Sequence, residues 1–124
     1  MRSHISMLAR NGAGVLVRAN TEKAQPLEHK GWKLLTTSDA GLGLVFLEAE
    51  PGADEFPIHS SEDAWVGMVV RGTGTLFAGD RNEVIVDGMD YREGDFITFE
   101  PNTPHAWRNN GSDVCQILLA RRDA

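Results

Sequence analysis

Gly94-Asp95-Phe96-Ile97-Thr98-Phe99-Glu100-Pro101-Asn102-Thr103-Pro104-His105-Ala106-Trp107-Arg108-Asn109 decides the fold. Asp95 to Phe99 and His105 to Arg108 read as two short strands, rich in aromatic residues and threonine. Pro101 and Pro104 lack a ladder donor and belong at strand ends or edges. Asn102 stands at the bend between them, because asparagine tolerates the left-handed conformation better than most residues. Side chains alternate across a strand. His105 and Trp107 therefore share one face, and Arg108 points the other way, toward solvent.

Upstream, Pro51-Gly52-Ala53-Asp54-Glu55-Phe56-Pro57-Ile58-His59-Ser60-Ser61 carries a second histidine. Glu62-Asp63-Ala64-Trp65 and then Arg71-Gly72-Thr73-Gly74 follow it. Gly72 and Gly74 allow positive φ where a strand bends or reverses. Further strand signals fall at Val15 to Val17, Trp32 to Thr37, Leu42 to Glu50 and Trp65 to Val70. Thr75 to Ala78, Glu83 to Asp87 and Val114 to Ala120 complete the set. Gly, Asp, Asn and Pro punctuate these runs, as at Ser38-Asp39-Ala40-Gly41 and Gly79-Asp80-Arg81-Asn82. Such spacing predicts an all-β sandwich or barrel. No segment shows a helical apolar face of three turns. Thr21 to Gly31 is polar and reads as irregular.

A chain of 124 residues, 41% of them hydrophobic, fits one domain with one proper core. The formal charge of −6 argues against phosphate backbones and anionic lipid heads, and so against nucleic acid and membrane as partners. Arg121-Arg122 reads as a solvated tail. Cys115 is the single cysteine, which excludes an intrachain disulfide. Its apolar surroundings predict a buried structural thiol. No apolar stretch approaches the roughly 20 residues of a membrane helix, and Ile5 to Ala9 is too short for a secretory core. The cytoplasm is the default expectation.

The two histidine segments together resemble the signature motifs of the cupin family. The family's first motif runs glycine, His-x-His, glutamate, glycine. Here Gly52 is followed, one residue late, by His59. The second histidine's place falls on Ser61, the glutamate's on Trp65, and Gly72 closes the motif. In the second motif Gly94, His105 and Asn109 match in register, while Glu100 and Asn102 replace a proline and a glycine. The resemblance covers roughly residues 42 to 120. It implies a single-domain jelly-roll β-barrel of two antiparallel sheets over 1–124, with an N-terminal arm at 1–20. It also implies a homodimer, with Met1 to Arg18 as a swapped or edge-pairing strand.

In that family a mixed nitrogen–oxygen site suits one divalent transition metal (Fe, Mn, Ni, Cu or Zn) with open positions. This chain keeps two of the four ligands. Serine is a poor ligand near neutral pH, and an indole nitrogen is a donor only. Asp63 shares strand parity with His59 and Ser61 and is the replacement carboxylate; Glu62 takes that part if a bulge shifts the register. Glu48 and Gln116 are candidates to face the pocket from neighbouring strands.

His59 and His105 are thus either metal ligands, or hydrogen-bonding and proton-transfer groups. Trp65 and Trp107 are either core or the apolar wall of a ligand pocket. Arg71 is a candidate carboxylate clamp, and Glu100 a general base only if it points inward. Two function classes follow. One is a metal-free or weakly metal-binding protein that holds a small organic molecule. The other is a mononuclear metal enzyme of oxygenase, isomerase or decarboxylase type, using His59, His105 and Asp63.

Overall fold

The computed structural model describes residues 4–10, 15–20 and 24–122. In chain order the strands are β1 (His4–Arg10), β2 (Val15–Asn20), β3 (Gln25–Pro26), β4 (Trp32–Asp39), β5 (Leu42–Ala49) and β6 (Phe56–His59). They continue with β7 (Trp65–Arg71), β8 (Thr73–Gly79), β9 (Ile85–Arg92), β10 (Phe96–Phe99), β11 (His105–Asn109) and β12 (Cys115–Arg122). One sheet has the order β10-β7-β12-β5-β4-β3, the other β6-β11-β8-β9. All strand pairs are antiparallel. The fold is the all-β jelly roll, and no described residue is helical.

Alternation sorts each strand into an inner and an outer face. Cys115, Ile117 and Leu119 of β12 are buried, as are Leu47 and Ala49 of β5 and Ile97 and Phe99 of β10. They meet Leu76, Tyr91 and Trp107 from the facing sheet, and Trp32 and Val69 complete the core. Cys115 is a buried free thiol beside the Tyr91 hydroxyl, 3.6 Å away. Burial raises the pKa of both groups.

Turn chemistry places the strand ends. Gly72 has φ +86, between β7 and β8, and a Cβ there would press on the Val114 carbonyl. Gly74 does not have positive φ; it is required by close approach, since a Cβ would strike the Tyr91 hydroxyl and the Arg108 carbonyl. Asn102 has φ +62, as the sequence predicts. The Asp95 carboxylate accepts from the Arg92 N–H at 3.0 Å and closes the turn into β10.

Several boundaries differ from the sequence reading; β4, for one, runs on through Ser38 and Asp39, which were expected in the turn. Phe56–His59 is a strand despite Pro57, because β6 lies at the edge of its sheet, where a missing donor is tolerated. The strand expected over Glu83 to Asp87 starts at Ile85 and runs through Gly88 to Arg92. Gln25–Pro26 is a two-residue strand within a stretch expected to be irregular. At the N-terminus, β1 pairs with β2 as a hairpin, His4 opposite Asn20, and this pair hydrogen-bonds to neither barrel sheet. Met1–Ser3 and Asn11–Gly14 of the expected arm lie outside the described residues, as do Thr21–Lys23.

Candidate functional site

Strands β6 and β11 pair so that His59 stands directly opposite His105. Their ring centroids are 4.3 Å apart. The two imidazoles are oriented by the same device. Nδ1 of His59 lies 3.0 Å from the Pro57 carbonyl, and Nδ1 of His105 lies 2.8 Å from the Thr103 carbonyl. A carbonyl only accepts, so in each contact Nδ1 carries the proton. In a neutral ring, Nε2 is then the acceptor that is left.

His105 is 6% exposed, whereas His59 stands exposed at the mouth. Burial lowers the His105 pKa below the ordinary histidine value of 6.5. The Thr103 hydrogen bond opposes that shift, and the neighbouring His59 adds to it. The Phe99 ring stacks on His105 at 4.3 Å and 15°.

These rings line a cavity of about 180 Å³. His59, Ser61, Trp65, Phe99, His105 and Trp107 are part of its wall. Leu34, Leu47 and Leu119 line it as well. Trp107 is fully buried and packs edge-on against Phe99 and Tyr91, so it is both core and cavity wall. Trp65 is half-buried, and its indole N–H donates to the Ser61 hydroxyl at 3.1 Å. The Arg121 guanidinium lies over the Trp65 ring, 5.6 Å from its centroid.

Asp63 is not brought to the histidines. β6 ends at His59 and the chain bends at 62–63, so strand parity stops before it reaches Asp63. Its carboxylate pairs with Arg121 at 3.1 Å. Glu62 and Asp63 border a wider, shallower groove of about 500 Å³ beyond Trp65, together with Arg121 and Arg122. Arg121 is thus part of the mouth and not a solvated tail.

Glu48 and Gln116 are corrected too. They bond to each other at 2.8 Å on the outer face of the six-stranded sheet, one step out of phase with the inward Leu47 and Ile117. Arg71 forms an ion pair with Asp113 at 2.8 Å. Arg108 lies over the Phe77 ring and donates to Asn110, as its outward parity predicts. Glu100 is exposed in the turn after β10.

Among the described residues, no group of three or more His, Cys, Asp or Glu side chains is placed to hold a metal ion. The cavity itself offers two imidazoles and the Ser61 hydroxyl that Trp65 engages. This donor set falls short of a closed divalent-metal site. The sequence reading missed the cavity residues Leu34, Val45, Leu47, Phe56, Leu119 and, stacked on His105, Phe99. The alternation of Ile97 and Phe99 in the strand before Pro101 was the signal for the last of these.

Asn109, which closes the second motif, has a structural part. Its amide nitrogen lies 3.1 Å from the carbonyls of Ala49, Glu50 and Asp113, and its Oδ1 accepts from the Gly111 N–H at 2.9 Å.

Two packed antiparallel sheets define the jelly-roll class to which this molecule conforms, and the two histidines face each other at its mouth. The sequence model of the cupin domain matches residues 45–121, more than half of the chain, and the chain belongs to the cupin family. An RmlC-like cupin from Shewanella frigidimarina is similar in structure, with a TM-score of 0.64 over 86% of this chain and 89% of its own, at 18% identity. An RmlC-like cupin from Methanocaldococcus jannaschii, with a double-stranded β-helix fold, gives 0.62 over 80% and 86%, at 16% identity. A mutant of oxalate decarboxylase from Bacillus subtilis gives 0.74 over 94% of this chain but 33% of that protein, at 15% identity. At these identities the likeness is one of fold. A search of the curated proteins finds no match. No helix among the described residues is long and apolar enough to cross a membrane.

Proposed function

We propose that the barrel cavity binds a small, largely apolar organic molecule whose polar end donates hydrogen bonds to His59 and His105. The observation that carries this reading is the shared anchoring of both Nδ1 atoms on backbone carbonyls, which leaves Nε2 as the acceptor on each ring. A volume of about 180 Å³ is below the usual range for drug-sized ligands. It suits a molecule of roughly ten non-hydrogen atoms or fewer. Aliphatic and aromatic walls favour a compact apolar body, and the acceptor pair favours a hydroxyl, amide or protonated acid. Ser61 and Trp65 shape the mouth.

A second reading has one specific support. Histidines that ligate metals commonly have the other ring nitrogen bonded to a carbonyl, as both do here. A divalent transition metal (Fe, Mn, Ni, Cu or Zn) held by two imidazoles alone would be weakly bound, with its other positions left to solvent or substrate. When bound it would supply Lewis-acid or redox chemistry to the same cavity.

The test is a thermal-shift screen of small alcohols, amides and hydroxy acids in metal-free buffer, on protein made without a histidine tag. The expected outcome is a hit that is lost in His105→Gln and kept in Asp63→Ala. Plasma mass spectrometry of the same preparation addresses the second reading. Near one equivalent of metal per chain, lost in His59→Ala, would overturn the metal-free reading.

A further inference from the structure

A polar row closes the inner face of the six-stranded sheet above the histidine cavity. Buried Cys115, Ile117 and Leu119 set the inward phase of β12, and Arg121 is the next residue in that phase. Register sets Ser38, Gly43 and Arg121 opposite one another across β4, β5 and β12. Thr36, Val45 and Leu119 form the next row inward, and Leu34, Leu47 and Ile117 the row after that. A charged arginine thus stands where the alternation of its strand calls for an apolar residue.

The neighbours of Arg121 make room for it. A Cβ at Gly43 would lie 2.9 Å from the Arg121 Nε and push the side chain aside. The guanidinium lies over Trp65, which also lines the histidine cavity. Beside it is a groove of about 330 Å³ whose wall includes Thr36, Ser38 and Asp63. This groove shares Val45 and Trp65 with the histidine cavity, so the two spaces adjoin.

Asp63 engages the guanidinium at one corner. Nη1 of Arg121 donates to a single Asp63 oxygen at 3.1 Å, and the two side chains are 38% and 36% exposed. A guanidinium has five N–H donors and holds a carboxylate best through two parallel ones. Ion pairs with this much exposure contribute little, so another carboxylate displaces Asp63 readily.

We propose that Arg121 anchors the carboxylate of the molecule bound in the histidine cavity, which makes the ligand class a small hydroxy acid. The proposal rests on the cavity reading above and supplies the ligand's second polar end. The hydroxyl donates to His59 and His105, the apolar body lies along Leu119 and Trp65, and the carboxylate reaches the mouth. Spacing supports this. Successive inward positions of a strand are about 7 Å apart, so Arg121 stands one such step beyond Leu119, a residue of the cavity wall. A hydroxyl and a carboxylate on opposite ends of one aromatic ring span a similar length. Such a molecule has about ten non-hydrogen atoms, in keeping with the small cavity. Charge sharpens the point. The molecule carries −6 and disfavours anions at long range, so a preference for an acid must be local.

Calorimetric titration of the full chain with matched acids and amides tests the proposal, in metal-free buffer near neutral pH. The probes are para-hydroxybenzoate with para-hydroxybenzamide, then aliphatic hydroxy acids with their primary amides. The acid of a pair is expected to bind at least about tenfold more tightly than its amide. Arg121→Gln is expected to remove that preference and Arg121→Lys to restore part of it, with circular dichroism unchanged. Asp63→Asn removes the competing carboxylate and is expected to tighten the acid by about fivefold. Arg71→Gln removes a positive charge from the separate pair with Asp113 and keeps the preference. Amides that bind through His105 as well as their acids do would overturn the anchor and leave the cavity reading standing. A preference that survives Arg121→Gln, or that Arg71→Gln abolishes equally, overturns the anchor too. Binding of neither acids nor amides overturns both.

Discussion

His105 is acted on by burial and by a backbone carbonyl at once, and burial dominates. The unfolded chain takes up a proton near the ordinary value of 6.5, and the folded chain only at lower pH. Below 6.5 the unfolded state therefore binds more protons, and stability falls as pH falls. Above 6.5 the contribution is fully present. Thermal melts followed from pH 7.5 downward are expected to show a falling midpoint, with the fall beginning near 6.5. His105→Gln, neutral throughout, is expected to flatten that slope; parallel slopes for the two proteins would contradict the assignment. Reading residues from the chain succeeds where a strand fixes their direction. His59, Trp65, His105 and Trp107 line the cavity from strand positions, whereas Ser61 lines it from beyond the end of β6. It fails at Asp63, where the parity argument was carried past the end of the strand. It fails at Glu48 and Gln116 as well, since either phase of an isolated apolar strand is open until its partner fixes which face is buried.

At the level of elements, the turns hold the barrel ends, and Asn109 is the clearest example. Its side chain connects the end of β11 with the carbonyls at and just after the end of β5 and with the loop before β12. Asn109→Ala strips partners from these carbonyls and from the Gly111 N–H while the site stays largely buried. The expected loss is about 2–3 kcal/mol, read as a lower midpoint in urea at unchanged slope. A loss below about 0.5 kcal/mol would mean that water replaces the amide at no cost.

Strand existence was legible for most of the barrel because apolar alternation and Gly, Asn and Pro punctuation agree there. Boundaries were less so, and each departure has a local cause. Gly88 looks like a breaker, yet it sits opposite Phe77, whose ring would lie 3.2 Å from a Cβ. A side chain there would make the ring give way by a few tenths of an ångström, so glycine suits this strand position. Pro57 looks like a stop, yet an edge strand has one side that needs no donors.

On the scale of the whole molecule, the fold and the chemistry separate. Residues 45–121 carry the cupin domain, and the barrel presents the same two mouth strands whether or not its first motif is complete. A shared fold hosts many functions. In this chain the positions of the missing ligands, Ser61 and Trp65, are present in the cavity wall and bonded to each other. The indole lines the cavity at the position where the family's motif has its glutamate. If that exchange sets the present binding preference, reversing it should restore a metal centre on an unchanged barrel. Ser61→His combined with Trp65→Glu provides three imidazoles and a carboxylate around one cavity. Both positions are only partly buried, so the core is spared. The double variant is expected to bind Zn or Ni at one equivalent per chain, at least about a hundredfold more tightly than the wild type by calorimetric titration. Adding His105→Ala should then reverse much of the gain. Equal and weak binding by the double variant and the wild type, with circular dichroism unchanged, would show that the extra residue between Gly52 and His59 has displaced the first motif from ligand geometry. The loss of two side chains would then be the smaller part of the difference.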